Sequence, residues 1–233
     1  MRPQLSIIIP TFNEERYLPK LLNSIKKQNY KNYEIIVADN NSKDKTRQIA
    51  REYGCKLTEG GLPPVARNNG AKLAKGDLLL FLDADVVLPK NFLESCIDEF
   101  KKRKLDSATC LFKLKGNKLI DKVILFVGNA IIFSAQYFDP HCTGAFILCK
   151  KRIFNKLGGF NERLKQAEDH DFVKRSVKIG KFGSLKKSLF LSMRRFEKEG
   201  RANVLKKYFK SEVYRKIKGE IDSDIFEYEY GKF

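Results

Sequence analysis

The sequence predicts an α/β fold: a Rossmann-like, mostly parallel central sheet flanked by helices, with a basic helical appendage toward the C-terminal end. Three observations predict it. Apolar, β-rich runs alternate with segments of helical period through the first hundred residues, the pattern of a parallel sheet with right-handed crossovers. The strand-like runs are apolar almost throughout, as strands covered on both faces must be. The chain of 233 residues is 42% hydrophobic, which excludes a wholly disordered polypeptide and allows a core that needs no covalent staples.

The elements follow in order. Residues 5–10 (LSIIIP) form a first strand, and residues 17–27 place Leu18, Leu21, Leu22 and Ile25 at helical spacing. Residues 33–38 (YEIIVA) are a second strand. A short helix over 44–53 takes Asp44 as its N-cap. A short third strand covers 55–58, and a helix over 65–74 stops at Lys75-Gly76. Residues 77–82 (DLLLFL) are the fourth strand. Beyond Pro89 the pattern loosens: a helix over 91–102, strands over 108–114 and 144–149, and a helix over 152–157 that Gly158-Gly159 ends. A helix over 168–179 and a long basic helix over 198–218 complete the reading. Residues 123–135 (VILFVGNAIIFSA) are too few for a membrane span, which needs about 20. They are read as a buried helix, an interfacial one being the alternative.

The formal charge is +18, and it is not spread evenly. Between Lys174 and Lys218 sixteen Lys or Arg face only Glu197, Glu199 and Glu212, whereas the last fifteen residues are acidic. Such a basic region implies an anionic partner, or a solvated helix face. The five cysteines (Cys55, Cys96, Cys110, Cys142, Cys149) are odd in number and lack CxxC spacing, so neither a disulfide framework nor a zinc site is indicated. The N-terminus enters the first strand without a signal-peptide core. The expected location is cytoplasmic, with peripheral attachment to the cytoplasmic face of a membrane through the basic region.

Ligands of an open α/β sheet bind beyond the carboxyl ends of its strands. There the sequence places Pro10-Thr11-Phe12-Asn13-Glu14, Asp39-Asn40-Asn41-Ser42 and Asp83-Ala84-Asp85, after the first, second and fourth strands. Two carboxylates one residue apart can share a divalent cation, and hard oxygen ligands suit Mg²⁺ or Mn²⁺ bridging phosphate oxygens. Capping a turn is their other use. Asp39 ends a buried strand and needs a partner, either a ligand N–H such as a base ring nitrogen or an Asx-turn with Asn41 or Ser42. Arg67 can pair with Asp83, with a phosphate, or in a surface salt bridge. Glu168-Asp169-His170-Asp171 puts three carboxylates at a helix start. They complement the helix dipole there, or supply a general base for an acceptor hydroxyl. His141 and His170 are the only histidines, and either can ligate a metal.

Taken together these segments resemble glycosyltransferase family 2, inverting enzymes of the GT-A fold. The resemblance runs through LSIIIPTFNE (5–14), YEIIVADNNSKDKT (33–46), ARNNG (66–70), residues 76–85, GAF (144–146), LGGFNE (157–162) and EDHD (168–171). It implies a catalytic domain over residues 1–185, with a nucleotide-sugar half (1–88) and an acceptor half (89–185), followed by an appendage over 186–233. It also implies a UDP- or GDP-sugar donor bound by Pro10, Thr11, Asn13, Glu14, Asp39, Asn41, Arg67, Asp83, Ala84 and Asp85. Asp83 and Asp85 would hold Mn²⁺ or Mg²⁺. Asp169 would be the base, with Glu168 and Asp171 orienting the acceptor or a loop. The processive members' Gln-x-x-Arg-Trp signature is missing, for the chain has no tryptophan. Arg194-Arg195-Phe196 matches that diphosphate-clamping element loosely, which makes Arg194 and Arg195 candidates for the diphosphate or acceptor; His141 is a further candidate. The acceptor implied is a glycan or a polyprenyl-phosphate-linked group, with no nucleic acid. Two readings compete. A haloacid dehalogenase-type phosphatase would use Asp83 as nucleophile but leaves the Pro10 and Asp39 clusters without a role. A non-catalytic binder of anionic lipid or nucleic acid fits the charge, but its clustered carboxylates would repel phosphates.

Overall fold

The computed structural model describes residues 2–114, 118–140, 142–219 and 221–222. Seven strands form one mixed sheet in the order β3-β2-β1-β4-β6-β5-β7. They are β1 (Leu5–Thr11), β2 (Tyr33–Asp39), β3 (Lys56–Glu59), β4 (Leu78–Leu82), β5 (Ser107–Lys113), β6 (Phe146–Lys150) and β7 (Phe182–Phe190). β3, β2, β1 and β4 run parallel. β6 runs antiparallel to both β4 and β5, and β7 is parallel to β5. The helices are α1 (Leu18–Lys26), α2 (Thr46–Glu52), α3 (Pro63–Leu73), α4 (Phe92–Lys102), α5 (Leu119–Ala135), α6 (Lys151–Leu157), α7 (Glu168–Ser176), α8 (Arg194–Glu199) and α9 (Arg201–Lys218).

The strand side chains alternate between two cores, as the two-residue period of a strand requires. Ile7, Ile9, Leu80 and Leu82 join Leu21, Ile25, Phe92 and Phe100 on one face. Ile8, Leu79 and Phe81 join Phe154, Phe160 and Phe172 on the other. In this second core the Phe160 and Phe172 rings stack at 4.6 Å, and Phe81 meets Phe160 edge-on at 5.0 Å. Gly70 lies on α3 where a Cβ would collide with the Ile8 side chain, so its absence lets α3 lie close against β1.

The chain leaves β1 to one side for β2 and β3, then crosses to the other side for β4. The C-terminal ends of β1 and β4 therefore flank a topological switch point, where an open α/β sheet forms its ligand crevice. Because β6 is reversed, its N-terminal end reaches the same edge: Leu82 pairs with Phe146.

The structure differs from the sequence reading in three places. The apolar stretch expected to be buried is mostly exposed: α5 starts at Leu119 and buries only Asp121 and Ile132. It packs Ile132 and Leu125 on the core and is bonded to β5 through Asn129, whose side chain receives the Phe112 N–H at 2.9 Å and donates to the Phe112 carbonyl at 2.8 Å. β7 has no counterpart in the sequence reading and runs across the expected 185/186 boundary. Its register jumps from Cys110↔Leu185 to Leu111↔Ser188, so Lys186-Lys187 sit in a bulge that breaks the apolar run. The expected basic helix over 198–218 is two helices, α8 and α9, separated by Gly200 at φ +81°, a left-handed conformation that suits glycine.

Candidate active site at the switch point

A cleft of about 660 Å³ opens at the switch-point edge. The β1 loop supplies Pro10, Thr11 and Glu14, and the turn after β4 supplies Asp83, Ala84 and Asp85. α3 contributes Arg67, the segment before β6 contributes Thr143 and Gly144, and the start of α7 contributes Glu168 and Asp169. Arg194 and Arg195 close it from α8. His141 lies outside the described residues.

The β1 loop is held by the loop after β2. Thr11 donates to Asp39 at 3.0 Å, and Ser42 donates to Asp39 through both its hydroxyl (2.6 Å) and its backbone N–H (3.0 Å). Asp39 thus makes the Asx-turn, is buried, and is not on the cleft wall. Asn13 and Asn41 adopt left-handed φ of 56° and 54°. Asn13 receives the Lys43 N–H at 2.9 Å, and its own N–H bonds Ser42. Both residues shape the loops behind the cleft wall. Asn40 lines it instead. A Cβ on Gly60 would strike the Asn40 backbone, so glycine lets the end of β3 pass beside it.

Arg67 is the buried hub. It forms an ion pair with Glu168 and donates to Asp83 at 3.1 Å. Its guanidinium lies 5.5 Å from the Phe160 ring centroid, a cation–π contact. Burial works against its charge, but Glu168 and Asp83 hold its pKa above the ordinary value. A side chain on Gly144 would run into the guanidinium, so glycine is required where the chain enters β6.

Burial raises the pKa of Glu168, against the pull of Arg67 and with help from Asp169. Burial likewise raises Asp169, opposed by Arg67 and by the backbone N–H of His170, which donates to Asp169 at 2.8 Å. A carboxylate held above its ordinary range is a better proton acceptor. Asp171, expected to orient the acceptor or a loop, lies against a loop. It pairs with Arg175 at 2.7 Å, away from the cleft wall. Arg175 in turn donates to the carbonyls of Leu157 and Gly159, so Asp171 braces the turn after α6.

At the opposite side Asp85 is pushed up to about 6, first by burial and then by Asp83 and Glu14, with Arg194 opposing. Arg194 donates to both oxygens of Glu14 at 2.8 and 2.7 Å and pairs with Asp85 at 2.9 Å. It also stacks over Tyr17 at 4.5 Å. One guanidinium therefore neutralises two acids at the place where the sequence put a cation.

No group of three or more metal-ligating side chains occurs among the described residues. Asp83 and Asp85 nevertheless fit a Mg²⁺- or Mn²⁺-type site, because such ions are held by one or two carboxylates with substrate phosphates completing the shell. Burial, with the Asp83 and Glu14 carboxylates beside it, raises Asp85 despite its pairing with Arg194.

The sequence reading missed several cleft residues. Thr143 Oγ1 and Gln166 Nε2 are buried without a hydrogen-bond partner, and both residues line the cleft. Such atoms are costly unless a ligand meets them. No motif flagged them, because a lone Thr or Gln carries no spacing signal. Tyr208 and Arg215 reach the cleft from α9, where Arg215 Nη1 lies 2.9 Å from His170 Nδ1.

Comparison with known proteins agrees with this geometry. The model of the family described as "Glycosyl transferase family 2" matches residues 6–158. An uncharacterized glycosyltransferase of Rickettsia typhi is 34% identical over 184 residues, which cover 72% of this chain and 57% of the relative. The chain thus spans a little over half the length of that relative. The structure of Staphylococcus aureus TarS residues 1–349 in complex with UDP-GlcNAc superposes with TM-score 0.64 at 25% identity, covering 80% of this chain and 58% of that one. The mannosyltransferase PcManGT of Pyrobaculum calidifontis, in complex with GDP-Man and Mn²⁺, superposes with TM-score 0.71 at 19% identity, covering 91% and 65%. The mixed seven-stranded sheet is therefore the GT-A fold. The phosphatase reading of Asp83-Ala84-Asp85 falls with it. A matched family model over residues 6–158, which hold six of the seven strands, together with an acid-lined cleft at the predicted edge, places the chain in glycosyl transferase family 2.

Proposed function

We propose that the chain is an inverting, metal-dependent glycosyltransferase that takes a sugar from a UDP- or GDP-sugar and delivers it to an acceptor hydroxyl. One observation carries the proposal: Asp83 and Asp85 on one wall and Glu168 and Asp169 on the other line a single cleft, with buried Arg67 bonded to both walls. Related structures contain UDP-GlcNAc or GDP-Man with Mn²⁺, which supports a nucleotide-sugar donor.

In this reading the loops after β1 and β2 bind the nucleoside, and Asp83 and Asp85 would hold a divalent cation. When bound, that cation supplies Lewis-acid stabilisation of the leaving diphosphate. Arg194 turns from Glu14 and Asp85 to the diphosphate, a bidentate acceptor matched to its planar fork. Asp169 accepts the acceptor's hydroxyl proton. The acceptor oxygen bonds the anomeric carbon from the face opposite the diphosphate. The carbon–oxygen bond to the diphosphate breaks, its electron pair leaves with the nucleoside diphosphate, and the configuration inverts. Glu168, fixed by Arg67, holds the start of α7. Gln166 and Thr143 offer a donor and a hydroxyl to the sugar or acceptor.

Calorimetry with UDP-GlcNAc and GDP-mannose, with and without Mn²⁺, tests the reading. Metal-dependent binding of one of them, lost in Asp85→Ala, is the expected result. Failure of both nucleotide sugars to bind under any metal overturns it.

A further inference from the structure

α5 and α9 carry a large apolar surface that nothing among the described residues covers. On α5, Leu119, Val123 and Phe126 are exposed, Leu119 and Phe126 by about three quarters (76% and 75%), and Tyr137 and Phe138 continue the surface beyond its end. On α9, Leu205, Phe209, Val213 and Ile217 recur at the spacing of one helical stripe, yet the buried face of that helix holds only Val204. The helices are tied together at their N-terminal ends, where Arg201 grips Asp121 through two hydrogen bonds, one of 2.8 Å. Both reach the cleft: Val127 and Ile131 of α5, and Leu205 and Tyr208 of α9, line it and are also exposed. Apolar patches of more than a few hundred Å² are uncommon on soluble monomers and mark contact surfaces.

The charge around this surface selects its partner. Lys118 and Lys122 border the start of α5, while Lys206, Lys210, Lys216 and Lys218 border the stripe of α9, all exposed. Each helix has a single acid, Asp121 or Glu212, and each acid is paired with an arginine. Aromatic and aliphatic side chains rimmed by lysine are the composition of helices that lie in a lipid headgroup layer. A second copy of the chain would bring the same lysines against each other, with +18 on each partner. Neither helix meets the requirements for crossing a bilayer.

We propose that the exposed faces of α5 and α9 form one monotopic surface that seats on an anionic phospholipid bilayer, with the cleft mouth at the membrane. The acceptor is then presented by a lipid, a point that rests on the transferase reading, whereas membrane seating does not. Sedimentation with phosphatidylcholine vesicles, with and without phosphatidylglycerol, tests it. The full chain should bind the anionic vesicles at low salt and be released as salt rises. Lys206→Gln and Lys210→Gln should each weaken binding about fivefold. The double variant Phe126→Ser/Phe209→Ser should weaken it about tenfold or more. Both aromatic positions lie off the cleft wall, so nucleotide binding by that variant should be unchanged. That control separates loss of the surface from loss of the fold or of the transferase site. Absence of binding to anionic vesicles at low salt overturns the proposal, as does undiminished binding by the double variant. A concentration-dependent dimer abolished by the same substitutions, without vesicle binding, gives the surface to a second copy and also overturns it.

Discussion

The α7 side of the sheet and the α5–α9 side are both rich in aromatic and aliphatic residues, but they use them in opposite ways. Around α7, Phe81, Phe154, Phe160 and Phe172 form one closed core, and Phe160 packs against Arg67, which is about 3% exposed. Around α5 and α9, Phe126 and Phe209 stand in solvent at 75% and 72% exposure. The first region fixes charge in place by excluding water. The second leaves most of its apolar surface free and is anchored by a few contacts: Ile132 and Val204 are buried, Asn129 bonds β5 and Arg201 bonds Asp121. Hydrophobic content alone does not tell a core from a contact surface.

The comparison can be broken most sharply at Asp169. If the α7 side exists to hold a base, Asp169→Asn should lower kcat about 10²–10⁴-fold while nucleotide binding persists. In the wild type the acid limb of the kcat/KM profile should lie above the range of a free carboxylate, because burial raises the Asp169 pKa and activity appears only as pH rises through it. A rate unchanged by the substitution would remove the base, as an already ionised phosphate acceptor would require.

A smaller effect is expected from Arg67→Met. Glu168 would be left buried without its partner, at a cost of about 3–5 kcal/mol, read as a fall in Tm of roughly 6–20 °C. The sign with pH is specific. Glu168 is already pushed above its ordinary pKa by burial, and loss of the guanidinium pushes it further. The variant should therefore recover stability as pH falls and lose it as pH rises through the folded-state pKa. A deficit independent of pH would mean that Arg67 serves packing rather than charge.

A matched pair of alanines sharpens the contrast further. Phe172→Ala should cost about 3–5 kcal/mol, as expected for a large ring removed from a closed core. Phe126→Ala should stay within about 0.5 kcal/mol in denaturant unfolding. Equal costs would show that Phe126 is part of the folded core.

The same difference explains what was legible in the sequence. β1, β2 and β4 could be read because apolar runs with both faces buried leave an unambiguous pattern, and Pro10–Glu14 and Asp83-Ala84-Asp85 stand at their predicted edge for that reason. β7 could not be read, because Lys186-Lys187 interrupt it and only the register jump against β5 accommodates them. Residues 123–135 misled, since periodicity reports an apolar face without reporting what lies opposite. Arg67 was visible as a candidate, but its pairing with Glu168 spans 101 residues, a distance no local pattern encodes. Gln166 and Thr143 emerge only from the geometry of unmet polar atoms.

The reversal of β6 has a consequence for how such a molecule can diversify. Because Leu82 pairs with Phe146, the stretch between Lys113 and Thr143 leaves the sheet and returns beside the Asp83–Asp85 turn. Its two ends are anchored by sheet pairing, while α5 between them touches the sheet lightly. In the transferase reading, a change in the length or sequence of this stretch would alter what approaches the donor while the pairing of β1, β2 and β4 keeps its register.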